Sequence, residues 1–180
     1  ITIPTDATGK TFELKDHFTR NKILLGKIVV SENDPVATPE FTPPTAENFI
    51  PAELFAGLEI SKNWHLDLVR GGRFGIGWAM NQKLWPDADI VSHNLGKPMK
   101  IRFTNRTNRL HPMHIHGVFF RVLSVNSKEF IEPFTRDTVL VGPNETIEIG
   151  LVPEHDGIWL AHCHIQAHAD SGMMTTIQVK

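Results

Sequence analysis

The sequence predicts an all-β protein built as an antiparallel sandwich or barrel, and three observations carry that prediction. Apolar residues alternate with polar ones in successive runs, as at Trp64, Leu66 and Leu68 and again at Met99, Ile101 and Phe103, the two-residue period of a half-buried strand. The runs are short and set off by turn chemistry: Gly71-Gly72, Gly142-Pro143-Asn144 and His155-Asp156-Gly157. Helical periodicity is almost missing, since only residues 165 to 170 look like a single helical turn.

Taken in chain order, residues 22 to 30 read as a strand with no earlier partner. A lone strand exposes unpaired backbone groups, so it is expected to belong to a sheet. Residues 1–30 are therefore read as the closing strand of a preceding domain, and the opening on Ile1 fits a piece of something longer or a processed chain. Five prolines (Pro35, Pro39, Pro43, Pro44, Pro51) mark an extended connector over residues 31–57, which neither a helix nor a central strand would tolerate. One domain is expected over residues 58–180. Beyond the two alternating runs already named, its strands are placed at 119 to 125, 138 to 141, 146 to 152, 158 to 164 and 174 to 179.

Composition narrows the function. The 180 residues are 41% hydrophobic, enough for one full core and an appendage. A formal charge of −2 provides no field to neutralise phosphates or coat an anionic leaflet, so nucleic acid and membrane are not expected partners. No apolar run reaches the ~18 residues needed to span a bilayer. The single cysteine, Cys163, rules out an intramolecular disulfide.

Ten histidines stand against that one thiol, and six of them fall in two tight groups. The first is His111-Pro112-Met113-His114-Ile115-His116-Gly117; the second is His162-Cys163-His164 followed by His168. In a strand, residues i and i+2 share a face and i+1 points the other way. His162 and His164 thus face one site and Cys163 another. His114 and His116 share a face, and His111, just before a proline, is free to turn the opposite way. Two sites follow: Cys163 with His111 and His168, and His114 with His116, His162 and His164.

One thiolate, two imidazoles and a nearby Met173, reached through Gly172, match the donor set of a blue copper electron-transfer site. Zinc also accepts Cys and His, but has no use for a thioether and leaves the four other histidines unexplained. A cysteine nucleophile beside a histidine base is the third reading and needs only two of these residues. Copper is favoured. Because His162 and His164 are covalent neighbours of Cys163, the strand would also be a short through-bond route from one site to the other.

HPMHIHG (111 to 117) and HCHIQAHADSGMM (162 to 174) resemble the C-terminal domain of the multicopper oxidases, the laccase-like family, with weaker likeness at 80 to 86, 136 to 139 and 22 to 30. The resemblance implies a cupredoxin-like Greek-key β-sandwich, and makes residues 1–30 the remnant of a preceding cupredoxin domain. It implies that His111, Cys163 and His168 hold a type 1 copper with Met173 axial. His114 would serve a type 2 copper, and His116, His162 and His164 a type 3 pair. Cys163, His162 and His164 would then be the catalytic electron path. Such enzymes take single electrons from small reducing substrates and reduce dioxygen to water.

The family's cluster needs eight histidines, and only half are present, so a missing domain or a second polypeptide is expected to complete it. The chain alone is expected to be inactive. A stand-alone blue copper carrier is the alternative, although a carrier has no need of the HxH and HCH pairs. A copper nitrite reductase fits less well, because that family lacks a histidine on both sides of the thiolate. The family and its copper chemistry imply a location outside the cytoplasm.

Other residues have ordinary expectations. His17, His65, His93 and His155 are read as polar or core residues, and Trp64, Trp78, Trp85 and Trp159 as core or rim aromatics. Arg106 and Arg109 would face solvent near the metal or cap a turn. Asp137 either orients a ligand histidine or pairs with Arg136. A proton relay would use Asp170 or groups elsewhere, since Ala169 follows His168 directly. The dispersed methionines do not suggest dedicated copper(I) oxidation.

Overall fold

The computed structural model describes residues 6–16, 23–31, 50–72, 75–130, 132 and 134–180. It divides into two compact units, residues 1–45 and 46–180. In the first unit, β1 (Thr11–Asp16) and β2 (Ile23–Val29) form an antiparallel hairpin, with Thr11 opposite Val29 and Phe12 opposite Ile28. The strand expected to lack an earlier partner therefore has one. The segment Thr11-Phe12-Glu13-Leu14-Lys15-Asp16 carries only two large apolar residues among charges, too few to announce a strand by alternation. Most of the connector placed at 31–57 lies outside the described residues. Its end, Ala52–Phe55, is a 3-10 turn of the second unit. Phe55 is buried, its ring filling the space a Cβ would occupy on Gly150.

The second unit is a β-sandwich of two sheets. Its remaining strands are β3 (Ile60–Arg70), β4 (Ile76–Met80), β5 (Val91–His93), β6 (Met99–Asn105), β7 (His111–Ile115), β8 (Phe120–Val125), β9 (Lys128–Glu129), β10 (Thr138–Val141), β11 (Thr146–Leu151), β12 (Gly157–Cys163) and β13 (Met174–Val179). One sheet runs in the order β4-β3-β6-β11-β8-β9 and the other β10-β7-β12-β13-β5. A single helical turn, α1 (Gln166–Asp170), sits between β12 and β13, where one was expected. The architecture is the expected cupredoxin-like Greek-key sandwich.

Neither sheet is wholly antiparallel, however. β3 lies parallel to β6, and β13 parallel to β5. Parallel neighbours need a crossover, and here the chain visits the opposite sheet between the two members of each pair, through β5 between β3 and β6 and through strands such as β6 and β8 between β5 and β13. The short β4, β5 and β9 show too few alternations to be read from the sequence.

Alternation explains the core. β6 buries Met99, Ile101, Phe103 and Asn105 and half-exposes the residues between them. β7 buries His111, Met113 and Ile115, and β11 adds Ile147 and Ile149. Trp64, Phe103 and Phe120 are fully buried, each contributing about 1.5–3 kcal/mol of hydrophobic stabilisation or more. Cys163 and Met173 belong to this same apolar cluster. Among the described residues, no helix is long and apolar enough to cross a membrane.

Candidate metal centre

The two histidine motifs meet because β7 and β12 are neighbours in one sheet, with His162 opposite His114 and Cys163 opposite Met113. Parity then sorts every side chain. Cys163, Met113 and His111 turn into the core, while His162 and His114 stand on the other face. His111 needs no special turn at Pro112, because its odd-numbered place in β7 already sends it inward with Met113 and Ile115. β12 ends at Cys163, and His164 follows with its N–H donating to the Pro112 carbonyl at 2.8 Å, which holds the extended direction one residue further.

The inner group comprises Cys163, His111 and His168, whose donor atoms all lie within 4.8 Å of one another. Cys163 Sγ is 3.8 Å from His111 Nδ1 and 3.6 Å from His168 Nδ1, and the two Nδ1 atoms are 3.1 Å apart. Three donors converge on one point inside the protein. Cys163 and His111 are 0% exposed and His168 8%. Burial pushes the Cys163 thiol up to about 11 against a smaller opposing pull from the Ile165 N–H. Burial, then the neighbouring His168, pushes His111 down to about 4. Burial and the charge of Arg109 lower His168 as well. Both imidazoles are consequently neutral at ordinary pH, with lone pairs available.

Backbone bonds close the loop around this group. His168 N–H donates to the Ile165 carbonyl at 2.8 Å, Met173 N–H to the His168 carbonyl at 3.0 Å, and Cys163 N–H to the Met173 carbonyl at 3.2 Å. The turn passes through Gly172 at φ +120°, where a Cβ would come within 2.8 Å of the Leu84 Cβ. Only glycine fits there. Met173, the expected axial residue, is fully buried beside the group. Ile165 N–H points at the sulfur from 3.4 Å.

Sequence reasoning missed four supporting residues. Trp78, expected to be a core or rim aromatic, is half-buried and lies 4.1 Å from the His168 ring at 31° and 5.2 Å from the His111 ring at 65°. The Trp78 main-chain N–H donates to Ser171 Oγ, and that hydroxyl donates to the His168 carbonyl, at 3.1 and 3.0 Å. Thr107 Oγ1 sits 2.9 Å from His111 Nε2, and Asn105 is bonded to Thr107 in turn. The one available signal was polar residues four and six places before His111 in an otherwise alternating segment.

The outer face gathers His114, His116, His162 and His164, as parity predicts. Ring centroids are 4.7 Å apart for His114 and His116, 4.7 Å for His114 and His164, and 5.3 Å for His162 and His164. His116 Nε2 and His162 Nε2 are 2.9 Å apart. His116 and His164 are exposed, and His114 and His162 partly so. Desolvation first, then the mutual charges of this group, lowers the pKa of His116 and of His164. His114 Nδ1–H donates to the Asp137 carbonyl at 2.8 Å, and His162 Nδ1–H to the Cys163 carbonyl at 3.0 Å. A carbonyl only accepts, so both rings keep a bare Nε2 for a metal.

The remaining expectations resolve individually. Asp137 orients His114 through its main-chain oxygen, with its carboxylate 4.0 Å away, whereas Arg136 pairs with the buried Glu132. Arg106 donates to His65 Nε2 at 3.1 Å rather than capping a turn. His93 bonds the Lys97 carbonyl at 3.0 Å, and the His155 carbonyl accepts from the Trp159 indole at 3.2 Å. Gln166 donates to Asp170 at 2.6 Å. His17 lies outside the described residues.

Residues 59–180 match the family model for the multicopper oxidases. Curated relatives include a multicopper oxidase of Staphylococcus aureus, 35% identical over 100 residues that cover 46% of this chain and 22% of that protein. The iron transport multicopper oxidase fio1 of Schizosaccharomyces pombe is 30% identical over 139 residues, 71% of this chain and 20% of its own length. Among solved structures, the McoA multicopper oxidase of Aquifex aeolicus superposes with a TM-score of 0.67 at 25% identity, covering 96% of this chain and 41% of that one. The chain thus spans about a fifth of these curated relatives.

Proposed function

Because the chain belongs to the multicopper oxidase family, we propose that it is the type 1 copper domain of a laccase-like enzyme that oxidises small reducing substrates and reduces dioxygen to water. The observation that carries this reading is the convergence of His111, Cys163 and His168 on one buried point. That donor set suits copper. A soft sulfur and two neutral imidazoles, with the buried Met173 tied to Cys163 and His168 by backbone bonds, suit both oxidation states of copper, and zinc would gain nothing from a thioether. Copper bound there and on the outer face supplies one-electron oxidation and oxygen reduction.

The chain's own residues have distinct tasks in this proposal. His111, Cys163 and His168 would hold the type 1 ion, with Met173 as the further sulfur donor, and their burial would exclude water from it. Cys163 connects by covalent bonds to His162 and His164, so the strand provides the route between the two faces. His114 is assigned to the type 2 ion and His116, His162 and His164 to the type 3 pair. Four histidines gathered on one face would amount to half of such a cluster, and the rest of the enzyme or a second polypeptide would supply the others. Residues 1–30 are assigned to a preceding domain, 31–57 to the connector and 58–180 to the copper domain, and the enzyme is placed outside the cytoplasm.

Copper stoichiometry with optical and EPR spectra tests the proposal. The full chain should take up one copper with intense blue colour, and oxygen uptake should appear only with a polypeptide carrying the other cluster histidines. Copper uptake without blue colour would overturn it, and blue colour with no oxidase activity in any such mixture would favour a simple electron carrier.

A further inference from the structure

His111 is held on the side away from Cys163 by a short polar chain. Thr107 Oγ1 stands 2.9 Å from His111 Nε2, and Asn105 Oδ1 stands 2.8 Å from Thr107 Oγ1. Thr107 is 7% and Asn105 2% exposed, so water does not settle their orientation. Direction along the chain follows from what each atom can do.

Asn105 is the fixed end. Its Nδ2 donates to the Gly142 carbonyl and the Arg109 carbonyl at 2.7 Å each and approaches the Val141 carbonyl at 3.2 Å. Carbonyls only accept, so the amide cannot be turned over, and Oδ1 must face Thr107. The Thr107 N–H already donates to that oxygen at 2.9 Å. Between Oδ1 and Oγ1 only the hydroxyl carries a hydrogen, so Thr107 donates to Asn105. With its one proton committed, Oγ1 is an acceptor toward the ring. The reverse arrangement would leave Oγ1 facing two carbonyl-type oxygens, Asn105 Oδ1 at 2.8 Å and the Arg109 carbonyl at 3.2 Å, without a proton between them. A buried pair of opposed lone pairs is costly.

We infer that Asn105 and Thr107 are positioning residues that hold the His111 ring as its Nε2–H tautomer, so that a bare Nδ1 faces Cys163 and His168. The orientation runs from three main-chain carbonyls through one amide and one hydroxyl to the imidazole. It presets the donor nitrogen before any ion arrives. The meaning of this preset rests on the copper-centre reading above, while the tautomer itself is a property of the metal-free chain.

The test is a two-bond proton–nitrogen correlation spectrum of the metal-free full chain labelled with 15N-histidine. Wild type should show His111 in the Nε2–H form alone. Thr107→Val, which keeps the shape and deletes the hydroxyl, should give a mixture of tautomers, and Thr107→Ser should restore the single form. Copper affinity should fall about 10–100-fold in Thr107→Val and recover in Thr107→Ser. Thr107→Ala provides a second hydroxyl deletion, read the same way, should the valine variant not fold. An Nδ1–H ring in wild type would overturn the inference, as would a deletion that changes neither tautomer nor affinity. Copper uptake without blue colour beside a wild-type Nε2–H ring would sink the copper-centre reading and support the positioning role of Asn105 and Thr107.

Discussion

Cys163 is wholly buried and His164, one residue later, is exposed; the two sides of one sheet carry centres of opposite character. The inner group is closed. Its donors are tied by backbone bonds, covered by the Trp78 ring and braced through Thr107. The outer group is open, its four rings crowd one another, and it is braced by the Asp137 and Cys163 main-chain carbonyls and the Thr138 hydroxyl. A group that must keep one geometry through electron transfer benefits from being dry and over-determined. A group that must admit an outside molecule or the other half of a cluster cannot be closed from one side. In the proposed assignment, the difference in exposure separates the centre this chain would complete from the one it would share.

The largest effect should come from breaking the inner group. Cys163→Ser is expected to abolish the intense blue absorption altogether while the outer histidines stay in place, as optical spectra of the copper-loaded chain will show. Next, His164→Ala should retain the blue colour and reduce oxygen turnover of the assembled enzyme to background. Bleaching by His164→Ala would mean that the two faces are not separate.

A smaller effect sharpens the comparison from the side of stability. Gly117 follows His116 at φ +68°, and a Cβ there would come within 2.2 Å of the Trp159 ring. Gly117→Ala should cost about 2–5 kcal/mol, the sum of left-handed strain and overpacking, and should disturb the outer face more than the inner one. Thermal unfolding and the blue spectrum together will show this.

The smallest effect belongs to a pair remote from both centres. Burial is the largest single influence on Glu148 and pulls its pKa upward, but the hydrogen bond from Arg102 Nε at 2.9 Å, the Arg102 charge, Ser124 and Lys100 together outweigh it, and the pKa lies below the ordinary value. A lowered carboxylate stabilises above the unfolded pKa of ~4.3 and loses that contribution as pH falls through the folded value. Glu148→Gln should therefore cost about 0.2–1 kcal/mol at neutral pH, vanish as a difference in acid, and leave the colour unchanged.

Much of the site was legible because strand parity needs no tertiary information. The separation of Cys163 from His162 and His164 followed from alternation, and the strand confirms it. The hairpin partner of β2 was not legible, since Phe12 and Leu14 alone do not make a pattern. Nor was Trp78, whose alternation in β4 looks like that of any core aromatic. Asn105 and Thr107 act through hydrogen bonds that exist only once the loop to His111 has closed.

Residue order alone determined which side chains of 111 to 116 and 162 to 164 share a face, because backbone geometry reverses direction at every residue of an extended chain. Only the tertiary structure decided that β7 lies beside β12, bringing His111 within 3.8 Å of a sulfur 52 residues away. It also decided that this face is the buried one, because packing one sheet against the other, unlike strand direction, depends on contacts between segments far apart in the chain.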